Sequence, residues 1–182
     1  IVAVDKTGTL TENKMTATQI WTLDSPYEVT GTGYDPTGHI AKDAKRVRAT
    51  DDPVLAALLR TALLCNHAQL NQVDGAWTMV GAPTEGALVT LAYKGWSDLP
   101  LSGRTIAEIP FSSTRKRMSV LYQSGNDATV LAKGAPEQIL DVSTHILTQN
   151  GVAALTQTHR DAITSAYTWM AERGLRIIAL AN

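Results

Sequence analysis

The side chain best suited to do chemistry in this sequence is the carboxylate of Asp5. It follows an apolar run, residues 1–4, whose composition predicts a short buried strand of a parallel sheet. Asp5 would then lie at the carboxyl end of that strand, where open α/β sheets place their ligands. An Asp beside Thr and Gly also often begins or caps a turn. The wider string around Asp5 has to decide between these two hypotheses.

That string, DKTGTLT at residues 5–11, resembles the phosphorylation motif of the P-type ATPases. The resemblance implies that Asp5 attacks the γ-phosphate of ATP and becomes an aspartyl phosphate, a covalent route that divides one difficult hydrolysis into two easier steps. It also implies that Lys6 and Thr7 belong to the catalytic site, and that Asp5 and Thr7 contact Mg²⁺. The residue types suit this chemistry, because a carboxylate is ionised at neutral pH and the following turn offers backbone and hydroxyl groups to phosphate.

A second candidate feature is Phe111, the one phenylalanine of the chain, which stands where Pro110 interrupts a predicted strand. Alone, a single Phe is more typical of a core than of a nucleotide contact. However, FSSTRKRMSV from Phe111 and KGAPE from Lys133 resemble paired motifs in the nucleotide-binding domain of type II P-type ATPases, the class of calcium and sodium-potassium pumps. The strings TGTGYDPTG, VGAPTEGAL and LRIIALA extend the resemblance along essentially the whole chain.

The resemblance implies a nucleotide pocket formed by Glu85, Phe111, Lys116, Lys133, Gly134 and Arg176. In it Phe111 would stack on adenine, Glu85 would lie at the adenine edge, and Lys116 and Lys133 would line the pocket. Simpler hypotheses stay open, because Glu85 also suits the first turn of a helix and Lys116 suits a solvated strand.

At the phosphate end, the resemblance implies that Arg176 reaches the phosphates. Gly134 has no side chain, so a ligand could approach the backbone there, beside the N–H groups of a helix start. Two positions depart from the calcium pump of the sarcoplasmic reticulum. Ser113 replaces an arginine, whose phosphate contact Arg115 could supply, and Ala82 replaces an acidic residue.

Composition excludes several classes of protein. A chain of 182 residues with a net charge of −1 can form one domain and has no general attraction to nucleic acid or to a membrane surface. Its one cysteine, Cys65, lies in an apolar helical run, which predicts a buried thiol and a reducing compartment. The histidines lack metal-ligand spacing. No apolar run is long enough to cross a bilayer.

The elements that would position these residues follow from periodicity and turn signals. Helices are predicted from Asp52–Pro53 to about Asn66, over residues 84–95 with Thr84 as cap and Gly95 as stop, after Gly134 with Pro136 in the first turn, and from Thr156 to Gly174. Strands are predicted within residues 17–23, 27–33, 76–81 and 176–182, with a meander over 105–133 that turns at residues 125–127. Residues 34–52 are predicted to form a surface loop. This order indicates an α+β fold, an antiparallel sheet flanked by helices.

The predicted domain division assigns residues 1–13 to a remnant of an α/β phosphorylation domain and residues 14–182 to a nucleotide-binding domain. The chain is accordingly expected to be a cytoplasmic, monomeric piece of an integral membrane protein that transports cations, calcium among them. Its expected ligands are ATP and Mg²⁺, and its expected partners are the remaining phosphorylation, actuator and transmembrane domains. No nucleic-acid partner is expected.

Two other functions compete with an ion-translocating ATPase. A haloacid-dehalogenase-like phosphatase shares an aspartate nucleophile after a strand, but it would have a second aspartate two residues later, where this chain has Thr7. The other alternative is a nucleotide-binding module without catalysis. Transfer of phosphate to Asp5 would distinguish an enzyme from such a module.

Overall fold

The computed structural model describes residues 14–96 and 102–182. The strand expected before Asp5, and the motif residues Asp5, Lys6 and Thr7, therefore lie outside the described residues. Within them every strand pair is antiparallel, and helices cover the sheets. The predicted α+β class is confirmed. Among the described helices, none combines the length and the apolar character needed to cross a membrane.

The first sheet has four strands in the order in which they occur along the chain. They are β1 (Gln19–Trp21), β2 (Pro26–Val29), β3 (Ile40–Lys42) and β4 (Lys45–Val47). The prediction of a loop over residues 34–52 is wrong, since β3, β4 and a 3-10 turn (Ala49–Asp51) lie there. Ile40 is fully buried in this otherwise polar segment, and Asp43 and Ala44 form the hairpin turn with positive φ of 50° and 60°. Asp is common at the first position of such a turn, but Ala44 stands where glycine is usual.

Two helices pack against each other beside this sheet, joined by a hairpin. They are α1 (Pro53–Leu64) and α2 (Pro83–Gly95), and the hairpin is β5 (Gln69–Val73) and β6 (Ala76–Val80). Both helices were predicted, whereas β5 was not. The predicted cap Thr84 is wrong, because the N-cap is Ala82, two residues earlier, and α2 begins at Pro83.

The second sheet has the order β12-β9-β8-β7. Its strands are β7 (Arg104–Ile109), β8 (Arg117–Ser124), β9 (Asp127–Gly134) and β12 (Ala179–Ala181). Between β9 and β12 the chain forms α3 (Pro136–Val142), the hairpin β10 (His145–Thr148) and β11 (Gly151–Ala154), and α4 (Gln157–Glu172). The meander, its turn, both helices and the last strand are confirmed, and the β10–β11 hairpin was not predicted.

Helix α1 connects the two hydrophobic cores of the domain. Leu55 and Leu59 are fully buried in a cluster formed with the first sheet and α2. Just beyond the other end of the helix, Cys65 is fully buried against Met118 and Leu131 of the second sheet. The predicted buried thiol is confirmed, and the two sheets are coupled through one helix.

The start of α1 is held by the buried carboxylate of Asp52. Its Oδ1 accepts hydrogen bonds from the backbone N–H groups of Val54 and Leu55, both 3.0 Å, and from Nε2 of Gln149 at 2.7 Å. Its Oδ2 accepts the hydroxyl of Tyr27 at 2.5 Å. A first-sheet strand, a helix and the turn of the β10–β11 hairpin therefore meet at one side chain.

This environment shifts the pKa of both Asp52 and Tyr27. Burial favours the neutral acid of Asp52, but the hydrogen bonds that its carboxylate accepts outweigh burial and hold the pKa below its ordinary value. Burial and the adjacent Asp52 carboxylate raise the pKa of the Tyr27 hydroxyl.

We expect Asp52→Ala to lower the free energy of unfolding by about 2–4 kcal/mol at neutral pH, because it removes a helix cap and leaves several donors without an acceptor. Urea unfolding monitored by circular dichroism would measure this loss. The matched control is Asp141→Ala, which removes an exposed carboxylate from α3 and should change stability by less than about 0.5 kcal/mol.

The same difference should depend on pH. The native pKa of Asp52 lies below the unfolded value of about 3.9, so the stabilisation is complete above that value and is lost as the pH falls through the native pKa. The difference in the free energy of unfolding between wild type and Asp52→Ala should therefore become smaller as the pH is lowered. A gap that is constant down to the acid transition would contradict this account of Asp52.

Candidate functional site

The second sheet brings most of the predicted site residues to one end. Gly134 at the end of β9 lies opposite Arg117 at the start of β8 and opposite Ala179 at the start of β12. Ile109 at the end of β7 lies opposite Ser119, near the start of β8. The segments that enter or leave these strand ends carry Phe111, Lys116, Lys133, Gly134 and Arg176. Strand register, rather than closeness in sequence, gathers them.

Glu85 joins this end of the sheet from α2. Its Oε1 lies 2.5 Å from Nζ of Lys133, and the two side chains are only 17% and 10% exposed. Asn66, just after α1, donates its amide to the backbone carbonyl of Glu85 at 3.1 Å and to that of Ala62 at 3.0 Å. Glu85 also occupies the first turn of α2, where the helix dipole favours a negative charge. The pair is thus a fixed, largely buried ion pair.

Phe111 lies in the loop between β7 and β8 and is 63% exposed. The far side of this loop is fixed by main-chain bonds. The N–H of Lys116 donates to the carbonyl of Ser112 at 2.7 Å, and the carbonyl of Lys116 accepts from the N–H of Ala135 at 2.9 Å. Lys116 has a positive φ of 49°, and its ammonium lies 3.8 Å from the carboxylate of Glu137 in a half-exposed pair. The phenyl ring therefore projects into solvent from a closed loop.

Gly134 has a structural reason of its own. A Cβ at this position would collide with the carbonyl oxygen of Lys116 and with Arg117, so a side chain cannot fit between β8 and β9 here. The predicted approach of a ligand to the backbone stays a prediction. Arg176 is exposed in the segment before β12, three residues ahead of the strand residue opposite Gly134.

The buried thiol of Cys65 lies close enough to three charged side chains of this region for them to affect its pKa. Burial raises the pKa of the Cys65 thiol, Lys133 opposes that rise, and Glu85 and Glu108 add to it. Glu108 belongs to β7, and its Oε2 lies 2.8 Å from Nε2 of His67.

The sequence reasoning missed Asn66, His67 and Glu108. Polar residues directly after an apolar helix could have indicated a turn at Asn66. No sequence pattern, however, links His67 to a partner 41 positions away.

The arrangement offers an exposed aromatic face, cationic side chains and a helix start at one end of a sheet. Such a combination suits a flat heterocycle that carries negative charge, since the ring can stack and the anion can meet cations and N–H groups. No group of three or more His, Cys, Asp or Glu residues that could hold a metal occurs within residues 14–96 and 102–182. The predicted Mg²⁺ contacts of Asp5 and Thr7 fall outside those ranges.

Comparison with known protein families decides the relationship. Residues 54–182 match the family described as "P-type ATPase, cytoplasmic domain N". This chain belongs to that family. The domain N assignment runs from the second residue of α1 through β12, and so includes Glu85, Phe111, Lys116, Lys133, Gly134 and Arg176. The family predicted from the sequence is confirmed, as is its description as a cytoplasmic domain.

Curated relatives extend the match to nearly all of this domain N chain. It is 37% identical over 186 residues to a calcium-transporting ATPase of Bacillus subtilis, covering 100% of the chain and 21% of that protein. It is 40% identical over 190 residues to the probable cation-transporting ATPase F of Mycobacterium tuberculosis, covering 98% and 20%. The human calcium-transporting ATPase type 2C member 1 is 36% identical over 188 residues, covering 100% and 20%. The chain therefore spans about a fifth of the length of the curated relatives it matches. These relatives are transport ATPases, hence enzymes, and ATP with Mg²⁺ is the general requirement of the family.

We expect the Glu85–Lys133 pair of domain N to show strong coupling in a double-mutant cycle. Lys133→Met alone should lower the free energy of unfolding by about 1–3 kcal/mol, between the values for exposed and fully buried pairs, because it leaves the Glu85 carboxylate unpaired. Glu85→Gln combined with Lys133→Met should cost less than the sum of the single changes. Denaturant unfolding of the variants measures both quantities.

The matched control is the half-exposed pair of Lys116 and Glu137. A cycle with Lys116→Met and Glu137→Gln should give a coupling below about 0.5 kcal/mol. Equal coupling in the two cycles would show that burial does not distinguish the Glu85–Lys133 pair.

Proposed function

We propose that residues 14–182 form the nucleotide-binding domain of an ATP-driven cation pump, and that residues 1–13 belong to its phosphorylation domain. The observation that carries the proposal is the convergence of an exposed Phe111 and several cationic residues at one end of the β12-β9-β8-β7 sheet. The relatives named for cation or calcium transport support the pump, and calcium is the cation to test first.

In this proposal the purine ring stacks on Phe111, whose ring is already exposed and needs no core contact to be broken. Glu85 and Lys133 form the inner wall of the pocket, with the ion pair holding both side chains at fixed positions. Lys116 and Arg176 lie at the same end of the sheet and are exposed, so they are accessible to phosphate groups and can neutralise part of their charge. Arg115 could supply the contact that Ser113 does not provide.

Asp5 is the proposed nucleophile. A carboxylate oxygen of Asp5 forms a bond to the γ-phosphorus of ATP, the bond from that phosphorus to the bridging oxygen breaks, and ADP leaves with the electron pair. Bound Mg²⁺ would neutralise charge on the transferring phosphate, and Asp5 and Thr7 are its proposed contacts within this chain. Lys6 would stabilise the phosphate through its charge. Water later hydrolyses the aspartyl phosphate.

We expect this chain to bind ATP with a dissociation constant near 1 mM, equivalent to about −4 kcal/mol. Phe111→Ala should raise that constant about tenfold or more, because stacking of a base on an aromatic ring is worth about 1–3 kcal/mol. Amide chemical shifts during an ATP titration would report both the affinity and the location of the ligand.

Trp169→Ala is the matched control, since it removes another exposed aromatic ring, 46% exposed, from α4. It should leave the ATP affinity unchanged. Absence of shifts near Phe111 and Lys133 at several millimolar ATP would refute the nucleotide site.

In the intact parent pump, Asp5→Asn should abolish the acid-stable, hydroxylamine-sensitive phosphoenzyme. The substitution keeps the size of the side chain but removes its anionic nucleophile, so nucleotide binding should be retained. Labelling with γ-³²P-ATP and a binding assay on the same preparation measure the two properties separately. Undiminished labelling in Asp5→Asn would overturn the assignment of Asp5.

A further inference from the structure

A hydrogen bond between the side chains of His67 and Glu108 joins the segment after α1 to strand β7. Nε2 of His67 lies 2.8 Å from Oε2 of Glu108, with the two side chains 55% and 30% exposed. His67 lies in the turn after α1, and Glu108 lies on β7. None of the roles described above for the site uses this pair.

The strand that carries Glu108 is weakly held. β7 lies at the edge of its sheet, pairs with β8 alone, and has a register irregularity between Thr105 and Ala107. All six of its residues are exposed. Within the described ranges, the side chain of Glu108 attaches β7 to the segment between α1 and β5 through its hydrogen bond to His67. The position of this strand therefore depends more on one side-chain pair than a central strand would.

Phe111 follows Glu108 by three residues. The far end of its loop is fixed by main-chain bonds at Lys116, which no side-chain change at Glu108 removes. The near end leaves β7 through Pro110, whose ring restricts the backbone. Few freely rotating backbone bonds separate Glu108 from Phe111. A movement of β7 at Glu108 should therefore also move Phe111.

His67 is attached to the other side of the site. The preceding residue, Asn66, accepts the N–H of Ala68 on Oδ1 at 2.8 Å and donates to the backbone carbonyl of Glu85. The turn that holds His67 is therefore bonded directly to the residue that pairs with Lys133. Three hydrogen bonds, together with the chain through Glu85 and from Asn66 to His67, therefore connect Lys133 with the strand that ends beside Phe111.

We propose that the His67–Glu108 pair is a positioning device that sets the distance between Phe111 and the Glu85–Lys133 pair, and thereby the affinity for the adenine end of the nucleotide. This inference rests on the proposed nucleotide site. Neither His67 nor Glu108 contacts the ligand. Both act through Phe111, so they are positioning residues, and their effect should not depend on the number of phosphates.

The test measures dissociation constants for adenosine, AMP and ATP in wild type, His67→Ala, Glu108→Ala and the double variant. Each single change should raise all three constants by about threefold to fivefold, as the loss of one partly exposed hydrogen bond allows. The double variant should bind no more weakly than the weaker single variant, because both changes remove the same contact. His67→Gln keeps an N–H donor near the position of Nε2 and should restore affinity to within twofold of wild type.

Glu28→Ala removes an exposed carboxylate from β2 in the other sheet and should leave all three constants unchanged. Since both partners of the pair are partly exposed, the variants should fold, and amide spectra of the unliganded proteins verify this. Additive effects, effects confined to ATP, or wild-type affinity in both alanine variants would each overturn the inference. Failure of the proposed function itself looks different, because wild type would then not bind or Phe111→Ala would bind like wild type.

Discussion

The carboxylate of Asp52 is the contact on which the arrangement of this domain most depends. It caps α1, accepts the hydroxyl of Tyr27 from the first sheet, and accepts the amide of Gln149 from the hairpin beside the second sheet. A buried carboxylate must have such donors, because an unpaired charge in the interior is very costly. Satisfying Asp52 therefore orients three segments at once and fixes where the other end of α1 lies.

That other end is where the candidate site begins. Cys65 is buried against the second sheet, and Asn66 bonds to the backbone of Glu85, so α1 transmits its position to the start of α2. The register of β8 and β9 then sets Lys133 opposite Met118, on the face of the sheet turned toward the helices. The Glu85–Lys133 pair forms because these two placements coincide. If either α2 or the register of β8 and β9 were displaced, one of the two charges would be buried without its partner. The Glu85–Lys133 pair therefore favours the native packing over such alternatives.

Local signals account for the elements that were predicted correctly. Asp52–Pro53 combines a capping side chain with a residue suited to the first helical turn, and the Gly125–Asn126 turn joins two alternating strands, so both elements are specified by adjacent residues. The missed elements lack such signals. β3 is three residues long, and Asp43 and Ala44 adopt positive φ without being glycine. β5 is largely polar and exposed, and the four-residue strands β10 and β11 show no regular alternation of buried and exposed residues.

The family, the α+β class and the candidate residues could be predicted from the sequence, because contiguous strings carry the resemblance to the family around Asp5 and around the proposed pocket. How those residues come into contact depends on the three-dimensional packing. Lys133 and Glu85 are 48 positions apart, and His67 and Glu108 are 41 apart, so their contacts arise from strand register and helix packing. The structure also gave Gly134 a second reason to be glycine, the close approach of Lys116, which no local pattern reveals. Short-range chemistry can be read from neighbouring residues, but a charge pair between distant segments exists only once burial has brought them together.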